Sequence, residues 1–199
     1  MGNIKKVMEK TAPALGLKYD AKRLVVYGNH RGFTTVIQLL QQSNNVPKVW
    51  ISLMAATAQG TPLSGFEIQN LPMPKGVEVS VAQYSIGISV PLKGNNDAIT
   101  GNITTALRTV LDYVMAQGGV NCDENGMPNM TEVWRAKGNY MILSPEGAVS
   151  LRNRMSMEAS ALAMKKENYV LGILGALAGS VVGALVIFLI ARPVSYTHL

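Results

Sequence analysis

Residues 77–91 read VEVSVAQYSIGISVP, and this stretch decides the fold class of the region around it. Apolar side chains occupy alternate positions in two successive runs, namely Val77, Val79, Val81 and then Ile86, Ile88, Val90. A period of two is typical of a strand that buries one face. The stretch therefore predicts either two β-strands or one bent strand.

A helix is predicted directly downstream of this stretch. Its apolar residues recur at spacings of three and four: Ile99, Ile103, Leu107, Val110, Val114. The pair Asn96-Asp97 marks its start, with Asp97 as the cap, and Gly118-Gly119 marks its end. The change from period two to a helical period within one short region indicates a mixed α and β fold.

The residues upstream extend this pattern. Strand character recurs at residues 23–27, 33–40 and 48–55, and residues 28–32 predict a hairpin turn between the first two. A first helix is predicted from Asn3 to Gly16, although Pro13 weakens its last turn. Residues 60–74 are rich in Pro and Gly and predict a loop. Trp50 lies in one of these strands, where packing in the core is its ordinary role.

Helix, antiparallel sheet and helix together predict an α+β domain over residues 1–118. This order resembles the secretion-chaperone-type fold, in which a sheet carries a helix at each end. The resemblance concerns the fold and carries no function with it.

Residues 119–167 are predicted to form a smaller unit. Residues 131–136, which include Trp134, and residues 139–143 have strand character, and Lys137-Gly138 joins them as a hairpin. Ser144-Pro145-Glu146 then predicts a capped helix start with proline in the first helical position. Trp134 is expected to pack in the core.

This order of knuckle, hairpin and helix resembles a zinc ribbon. Cys122-Asp-Glu-Asn125-Gly126 is similar to a Cys-x2-Cys-Gly knuckle in which Asn125 replaces the second cysteine. Residues 143–146 stand where a second cysteine pair would open the helix. With Asn168 and a Gly/Ala-rich apolar run, residues 120–191 resemble a family of uncharacterised bacterial membrane proteins with a cytosolic zinc-ribbon-like module. The alternative is that the spacing is a coincidence.

The resemblance implies a zinc site that has lost its ligands. A structural zinc site needs four ligands, and Cys122 is the one thiol in the pattern. We therefore expect no metal and no cofactor.

Candidate catalytic residues are few. The single cysteine, Cys122, excludes an intrachain disulfide, and His30 is predicted as an exposed residue of the hairpin turn. A Cys–His nucleophile pair would require the fold to bring these two residues together. We expect an inert thiol, no catalytic residue and no enzymatic activity, with an enzyme that uses Cys122 or His30 kept as an alternative.

The net charge of +6 does not predict a nucleic-acid-binding protein. The basic residues are scattered and lack the interleaved aromatic residues of a nucleic-acid-binding stripe. Small basic clusters occur at Lys5-Lys6, Lys22-Arg23, Arg152/Arg154 and Lys165-Lys166. A solvated basic surface that faces an anionic membrane accounts for them better.

Residues 169–191 read YVLGILGALAGSVVGALVIFLIA and contain no charged residue. A helix of this length spans roughly 34 Å, which is enough to cross a hydrocarbon core of about 30 Å. We therefore predict a transmembrane helix over residues 168–192. The flanking residues are Arg152, Arg154, Lys165, Lys166, Tyr169 and Arg192. Because most of the positive charge precedes the helix, residues 1–167 are predicted to lie in the cytoplasm.

Small residues recur along this predicted helix every four positions. They form two adjacent stripes: Gly175, Gly179, Gly183 and Ala176, Ser180, Ala184. Such stripes allow another transmembrane helix to approach closely. The partner is either a second copy or another helix of the same protein.

Residues 193–199 are set aside from the fold. Val194-Ser-Tyr-Thr-His-Leu199 resembles the translation of a sequencing-library adaptor, and Pro193 also fits the adaptor. On this interpretation the natural sequence continues beyond Arg192. An alternative hypothesis is that the chain is the N-terminal fragment of a polytopic membrane protein whose activity lies in missing helices.

The main expectation from the sequence is a protein of the cell inner (plasma) membrane that faces the cytoplasm. It is expected to act as a protein-interaction or structural module. Its expected partners are the lipid bilayer, another transmembrane helix and a protein on the α+β domain, with no nucleic acid.

Overall fold

A computed structural model of the chain describes residues 2–40, 47–136 and 138–163. The chain divides into two compact units, residues 1–149 and residues 150–199. The first unit is a mixed α and β structure. In the second unit, residues 150–163 are helical.

The elements of the first unit follow the sequence in a simple order. The strands are β1 (Lys18–Asp20), β2 (Val25–His30), β3 (Phe33–Leu40), β4 (Lys48–Thr57), β5 (Glu78–Ala82), β6 (Ser85–Pro91), β7 (Gly119–Asn121), β8 (Glu132–Ala136) and β9 (Asn139–Leu143). The helices are α1 (Gly2–Leu15), α2 (Gly65–Gln69) and α3 (Asn96–Ala116). A further helix begins at residue 145.

The main sheet is antiparallel, with the strand order β1-β2-β3-β4-β6-β5. Strand β7 pairs with the end of β4, and β8 and β9 form a separate hairpin. One register line crosses the sheet through Ile37, Ile51 and Ile88. Because all three are fully buried, this line fixes which face of the sheet carries the core.

The inner face of the sheet packs against α1 and α3. Helix α3 contributes its apolar stripe to this core: Ile99, Ile103, Ala106, Leu107, Val110, Leu111, Val114. Helix α1 contributes Val7 and Met8, both fully buried. At about 25 cal/mol per Å² of buried apolar surface, this layer is the main source of stability for the unit.

The outer face of the sheet has a different character. The β8–β9 hairpin covers part of it, and Ile142 packs there with Val25 and Val36. Farther along the face, the Trp50 indole lies over Gly87, where any side chain would overlap it. Residue 87 therefore has to be glycine for Trp50 to lie flat on the sheet.

The α+β class and the antiparallel sheet predicted from the sequence are confirmed. Residues 77–91 form two strands, β5 and β6, rather than one bent strand. Strand β2 continues to His30, so the predicted five-residue turn is wrong. The turn is the pair Arg31-Gly32, with φ of 53° and 90°. Positive φ at both central residues is what a tight two-residue hairpin requires.

The helix ends also agree in part with the predictions. Gly16 ends α1 with φ of 67°, and Leu17 N donates to Ala12 O across it, as predicted for a C-terminal cap. The cap of α3 is Asn95, whose Oδ1 accepts from Ala98 N at 2.8 Å. The prediction of Asp97 as the cap is therefore wrong, because Asp97 pairs with Lys10 at 2.6 Å instead.

Within the part of the chain that the structure describes, no helix is both long and apolar enough to cross a membrane. The predicted transmembrane helix at residues 168–192 and the tail at residues 193–199 lie outside the described residues. Residues 119–149 belong to the same compact unit as the first 118 residues. The separate module predicted at residues 119–167 stays a prediction.

Candidate functional site

Residues 119–149, which we call the hairpin module, hold the most distinctive polar arrangement in the first unit. The module comprises β7, a loop at residues 122–128, the β8–β9 hairpin and the start of the helix at residue 145. Its hairpin lies on the outer face of the sheet.

Asp123 shapes the loop through its own side chain. Its Oδ1 accepts from Asn125 N at 2.9 Å and from Met127 N at 3.0 Å. Two backbone hydrogen bonds close the same turn. Gly126 N donates to Asp123 O, and Asp123 N donates to Met127 O, both at 3.0 Å. A carboxylate that bonds the following backbone amides is an ordinary way to close a turn. The Asp123 side chain therefore organises the knuckle.

Gly126 joins this loop to the sheet. It has φ of 83°, and the Tyr84 ring lies where a side chain at residue 126 would be. Tyr84 stands in the β5–β6 turn, and its carbonyl accepts from Ala55 N at 2.9 Å. The loop is thus fixed against β4 and β6.

Glu124 bridges the loop to the start of the helix. Its Oε1 accepts from Ser144 Oγ at 2.8 Å, and its Oε2 accepts from Ser144 N at 3.1 Å. Ser144 Oγ also accepts from Gly147 N at 3.0 Å, so Ser144 caps the helix as predicted. A carboxylate beside a helix N-terminus is also favoured by the helix dipole.

Gly147 makes room for this bridge. A side chain at residue 147 would overlap the Glu124 carboxylate. The Glu124–Ser144 bridge therefore occupies the place where the zinc-ribbon pattern would put its second ligand pair. Hydrogen bonds close the loop onto the helix.

A second polar network fixes the module to β3. Thr34 N donates to Asn121 Oδ1 at 3.0 Å, and Thr34 Oγ1 donates to Thr131 O at 2.9 Å. Asn121 Nδ2 in turn donates to Asn129 O at 2.8 Å. Thr34 and Thr131 are buried, so these bonds hold the entry to β8 in one place.

The far end of the hairpin is fixed by Asp20 and Tyr140. Tyr140 Oη donates to Asp20 Oδ2 at 2.6 Å, and the Tyr140 ring lies 5.7 Å from the Tyr27 ring. The hydrogen bond from Tyr140, with smaller contributions from the Lys22 and Arg23 amides, lowers the pKa of Asp20. Burial, together with the bond to Asp20, raises the pKa of Tyr140. The pair is therefore an ionised carboxylate with a phenol donor at neutral pH.

The module exposes large apolar side chains along one short segment. Met127 is 61%, Met130 is 85% and Trp134 is 42% exposed. Trp134 and Met141 are cross-strand partners on the hairpin. The prediction that Trp134 packs in the core is therefore wrong, because the hairpin turns this face away from the sheet. Methionine and tryptophan are enriched in protein interfaces.

A cavity of about 340 Å³ lies beside the hairpin turn. It is lined by Lys22, Arg23, Leu24, Val25, Gln38, Leu39, Gly138 and Asn139. These residues come from the β1–β2 connection, the end of β3 and the hairpin turn. The cavity therefore exists because the hairpin lies on the sheet.

Cys122 and His30, the two candidates for nucleophilic catalysis, lie in separate environments. Cys122 is fully buried, and burial, followed by the Asp123 charge, raises the pKa of its thiol to about 12. His30 lies at the end of β2 rather than in an exposed turn, and its Nδ1 donates to Leu15 O at 2.7 Å. Among the described residues, no hydrogen bond joins the two side chains.

The donor set around the knuckle does not match a zinc site. The positions of the pattern hold Cys122, Asn125 and Ser144, and the Ser144 hydroxyl is engaged with Glu124 and Gly147. In the described ranges, no group of three or more His, Cys, Asp or Glu side chains is placed to hold a metal ion.

Comparison of the chain with protein-family models, with curated proteins and with solved structures finds no match.

Most of the residues predicted to flank or line the membrane helix lie outside the residues that the structure describes. Arg152 and Arg154 lie in the described helical residues and are exposed. The remaining predicted positions lie outside the described residues: Lys165, Lys166, Tyr169, Gly175, Ala176, Gly179, Ser180, Gly183, Ala184, Arg192.

The sequence pattern missed Glu124 and Thr34. Glu124 accepts a hydrogen bond from Ser144, which is 20 positions away in the chain. Thr34 donates a hydrogen bond to Thr131, which is 97 positions away. Local periodicity carries no signal for pairs so far apart. The Asn-Gly dipeptide at Asn125-Gly126 was the one local sign of a tight turn in this loop.

Proposed function

We propose that this chain is a non-enzymatic protein-interaction module held at the cytoplasmic face of a membrane. The observation that carries the proposal is the exposed apolar segment of the hairpin module, with Met127, Met130 and Trp134 on a rigidly fixed loop and hairpin. The proposed occupant is a protein that offers an apolar surface to these three side chains.

Rigidity supports an interface rather than a disordered patch. The segment is fixed at Asn121 and Thr34 at one end and by the Tyr140–Asp20 bond at the other. A fixed apolar surface loses little conformational entropy when a partner binds. Contiguous exposed apolar patches mark interaction sites, and three large apolar side chains are exposed here within eight residues of sequence.

The chemistry of the candidate nucleophile supports a binding role. A thiol with a pKa near 12 carries almost no thiolate at neutral pH. His30 donates its Nδ1 proton to a backbone carbonyl. A protonated thiol and an imidazole whose Nδ1 is bonded to the backbone do not supply the Cys–His pair that the alternative enzyme hypothesis requires.

The membrane location rests on the sequence. The uncharged run at residues 169–191 and the basic residues before it favour an anchored chain whose first unit lies in the cytoplasm. A polytopic protein with further helices is the alternative, and it places the first unit on the same side.

The proposal is tested by photo-crosslinking in cells. A photoreactive phenylalanine analogue replaces Met130 in one variant and Thr105 of α3 in the control. Both positions are exposed, and Thr105 lies on a polar helix surface away from the hairpin module. We expect a discrete protein adduct from position 130 and none from position 105.

Two outcomes would contradict the proposal. One is the absence of a discrete protein adduct from position 130, or equal adducts from both positions. The other is an adduct at position 130 that consists of lipid alone, which would assign the exposed segment to the bilayer surface instead.

A further inference from the structure

The cavity beside the hairpin turn is lined by residues that carry donor groups and by apolar residues. The donors are the side chains of Lys22, Arg23, Gln38 and Asn139, and the apolar lining comes from Leu24, Val25 and Leu39. Among the described residues that line it, none carries a carboxylate. The cavity therefore has a net positive lining with a small apolar wall.

The carboxylate of Asp20, at the end of β1, is engaged in hydrogen bonds with other groups. Asp20 Oδ2 accepts from Tyr140 Oη at 2.6 Å, and Asp20 Oδ1 accepts from Lys22 N at 3.0 Å. The Arg23 charge also lowers the pKa of Asp20, but by less than the Tyr140 hydrogen bond does. Within the described ranges, no ion pair includes the Lys22 or Arg23 side chain.

The backbone holds these donors in place. Arg23 N donates to Asp20 O at 3.3 Å, which closes the connection between β1 and β2. Leu24 has φ of 56°, a conformation that a leucine adopts rarely and that the surrounding fold must impose. The opposite wall is the hairpin turn, which the Tyr140–Asp20 bond ties to the same connection. The cavity is thus part of the fold and not a gap between loose loops.

We propose that this cavity binds a phosphate-bearing ligand, either a free phosphate ester or the headgroup of a phospholipid. A phosphate monoester carries about −1.5 to −2 charges and several acceptor oxygens, which match two cations and two amide donors. Arginine pairs with phosphate through two parallel bonds, and lysine adds a point charge. The proposal does not rest on the partner protein proposed above.

The size of the cavity limits the ligand. Small-molecule sites enclose about 300–1,000 Å³, and this cavity lies at the lower end of that range. It has room for a phosphate group and a few carbon atoms against Leu24, Val25 and Leu39. A large nucleotide would extend beyond it.

The test uses the full chain in zwitterionic detergent micelles, labelled with ¹⁵N and titrated with inorganic phosphate at constant ionic strength. The signals to follow are the side-chain amides of Gln38 and Asn139 and the backbone amide of Gly138. We expect these signals to shift together and to saturate.

Three variants make the test specific. Lys22→Gln and Arg23→Gln each remove one cation from the cavity, and Lys93→Gln removes one exposed cation elsewhere. We expect each cavity variant to weaken phosphate binding about ten- to hundredfold, as the loss of a charge-assisted hydrogen bond does. Lys93→Gln should leave the affinity unchanged. Unperturbed signals from β4 and β6 show that the variants still fold.

Linear shifts without saturation would overturn the proposal, as would equal weakening by Lys93→Gln. The source of the phosphate is then decided in lipid nanodiscs of three compositions: phosphatidylcholine alone, phosphatidylcholine with phosphatidic acid, and phosphatidylcholine with phosphatidylglycerol at matched charge. Lower apparent affinity for inorganic phosphate in the phosphatidic acid discs alone identifies a lipid headgroup. Equal affinity in all three identifies a free phosphate ester.

Discussion

Gly147 is a helical residue at which the usual effect of alanine should be reversed. Glycine to alanine inside a helix ordinarily stabilises a protein by up to about 1 kcal/mol. At residue 147 the new methyl group would overlap the Glu124 carboxylate. Glu124 would then swing away and lose its bonds to Ser144. We predict that Gly147→Ala lowers the free energy of unfolding by about 1–3 kcal/mol, measured by urea denaturation.

A double-mutant cycle separates this cause from a general helix effect. Gly101→Ala in α3 is the control, because nothing lies within 4 Å of a side chain there, and it should be neutral or stabilising. In the Glu124→Ala background, the cost of Gly147→Ala should disappear. Equal costs with and without Glu124 would contradict the bridge.

Cys122 should behave as an inert thiol. Its pKa is raised from about 9 to about 12, so the folded chain keeps the proton where the unfolded chain has lost it. This contribution to stability is present below pH 9 and is lost as the pH rises from about 9 toward 12. We predict that alkylation at pH 8 is slow until denaturant unfolds the chain. Fast labelling of the native protein would restore the enzyme hypothesis.

Single residues were predictable from the sequence where their role is local. Ser144 and Gly16 were found because caps have local signatures. His30 was misplaced because the sequence does not show that β2 continues to the turn. Glu124 and Thr34 were missed because their partners are distant in the chain.

At the scale of elements, the hairpin should be held to the sheet by Thr34. Thr34→Val keeps the shape of the side chain but removes the bond to Thr131 O. Loss of this hydrogen bond should lower the free energy of local opening of the hairpin by about 1.4 kcal/mol, which is a tenfold change in the opening equilibrium. We therefore predict that the amides of β8 and β9 exchange about tenfold faster. The amides of β4 and β6 should be unaffected, as measured by native-state hydrogen exchange.

Thr35→Val is the matched control, since Thr35 is its buried neighbour on the inner face and bonds only Phe33 O. It should not change the exchange of the hairpin selectively. If both substitutions accelerated the amide exchange of β8 and β9 equally, the stability of the hairpin would depend on the core in general and not on the Thr34 hydrogen bond.

The hairpin module should keep its folded structure without a bound metal ion. Asp123, Glu124 and Ser144 supply hydrogen bonds where a zinc ribbon would use thiolates. We predict that a chelator leaves the urea midpoint unchanged and that metal analysis finds no stoichiometric zinc. One zinc ion per chain, or destabilisation by the chelator, would contradict this.

Elements with strong periodicity were predicted well, and short ones were not. The predicted strands correspond to β2, β3, β4, β5, β6, β8 and β9, and the predicted helices to α1 and α3. Strand β1 has three residues and β7 has three, and α2 lies in a segment rich in Pro and Gly. Too few residues repeat in such elements for a period to show. Strand β7 forms only because the fold brings it beside β4.

For the whole molecule, the sequence supported the fold class more firmly than the site. The α+β class follows from alternating strands beside amphipathic helices. The placement of the hairpin on the outer face does not follow from any local pattern. It depends on the packing of Ile142 against Val25 and Val36, which are distant from it in the sequence. The exposed segment and the cavity both result from that placement.

The central claim is that this hairpin module works beside a membrane, and fractionation of cells that express the full chain tests it most directly. We predict that the chain remains in the membrane pellet after alkaline carbonate washing and is released by detergent. A variant with Leu177→Lys and Val182→Lys should lose this behaviour, since each charge near the centre of the transmembrane helix predicted from the sequence would cost about 2.5–3.5 kcal/mol. Recovery of the unaltered chain as a monodisperse species in the aqueous fraction would contradict the account.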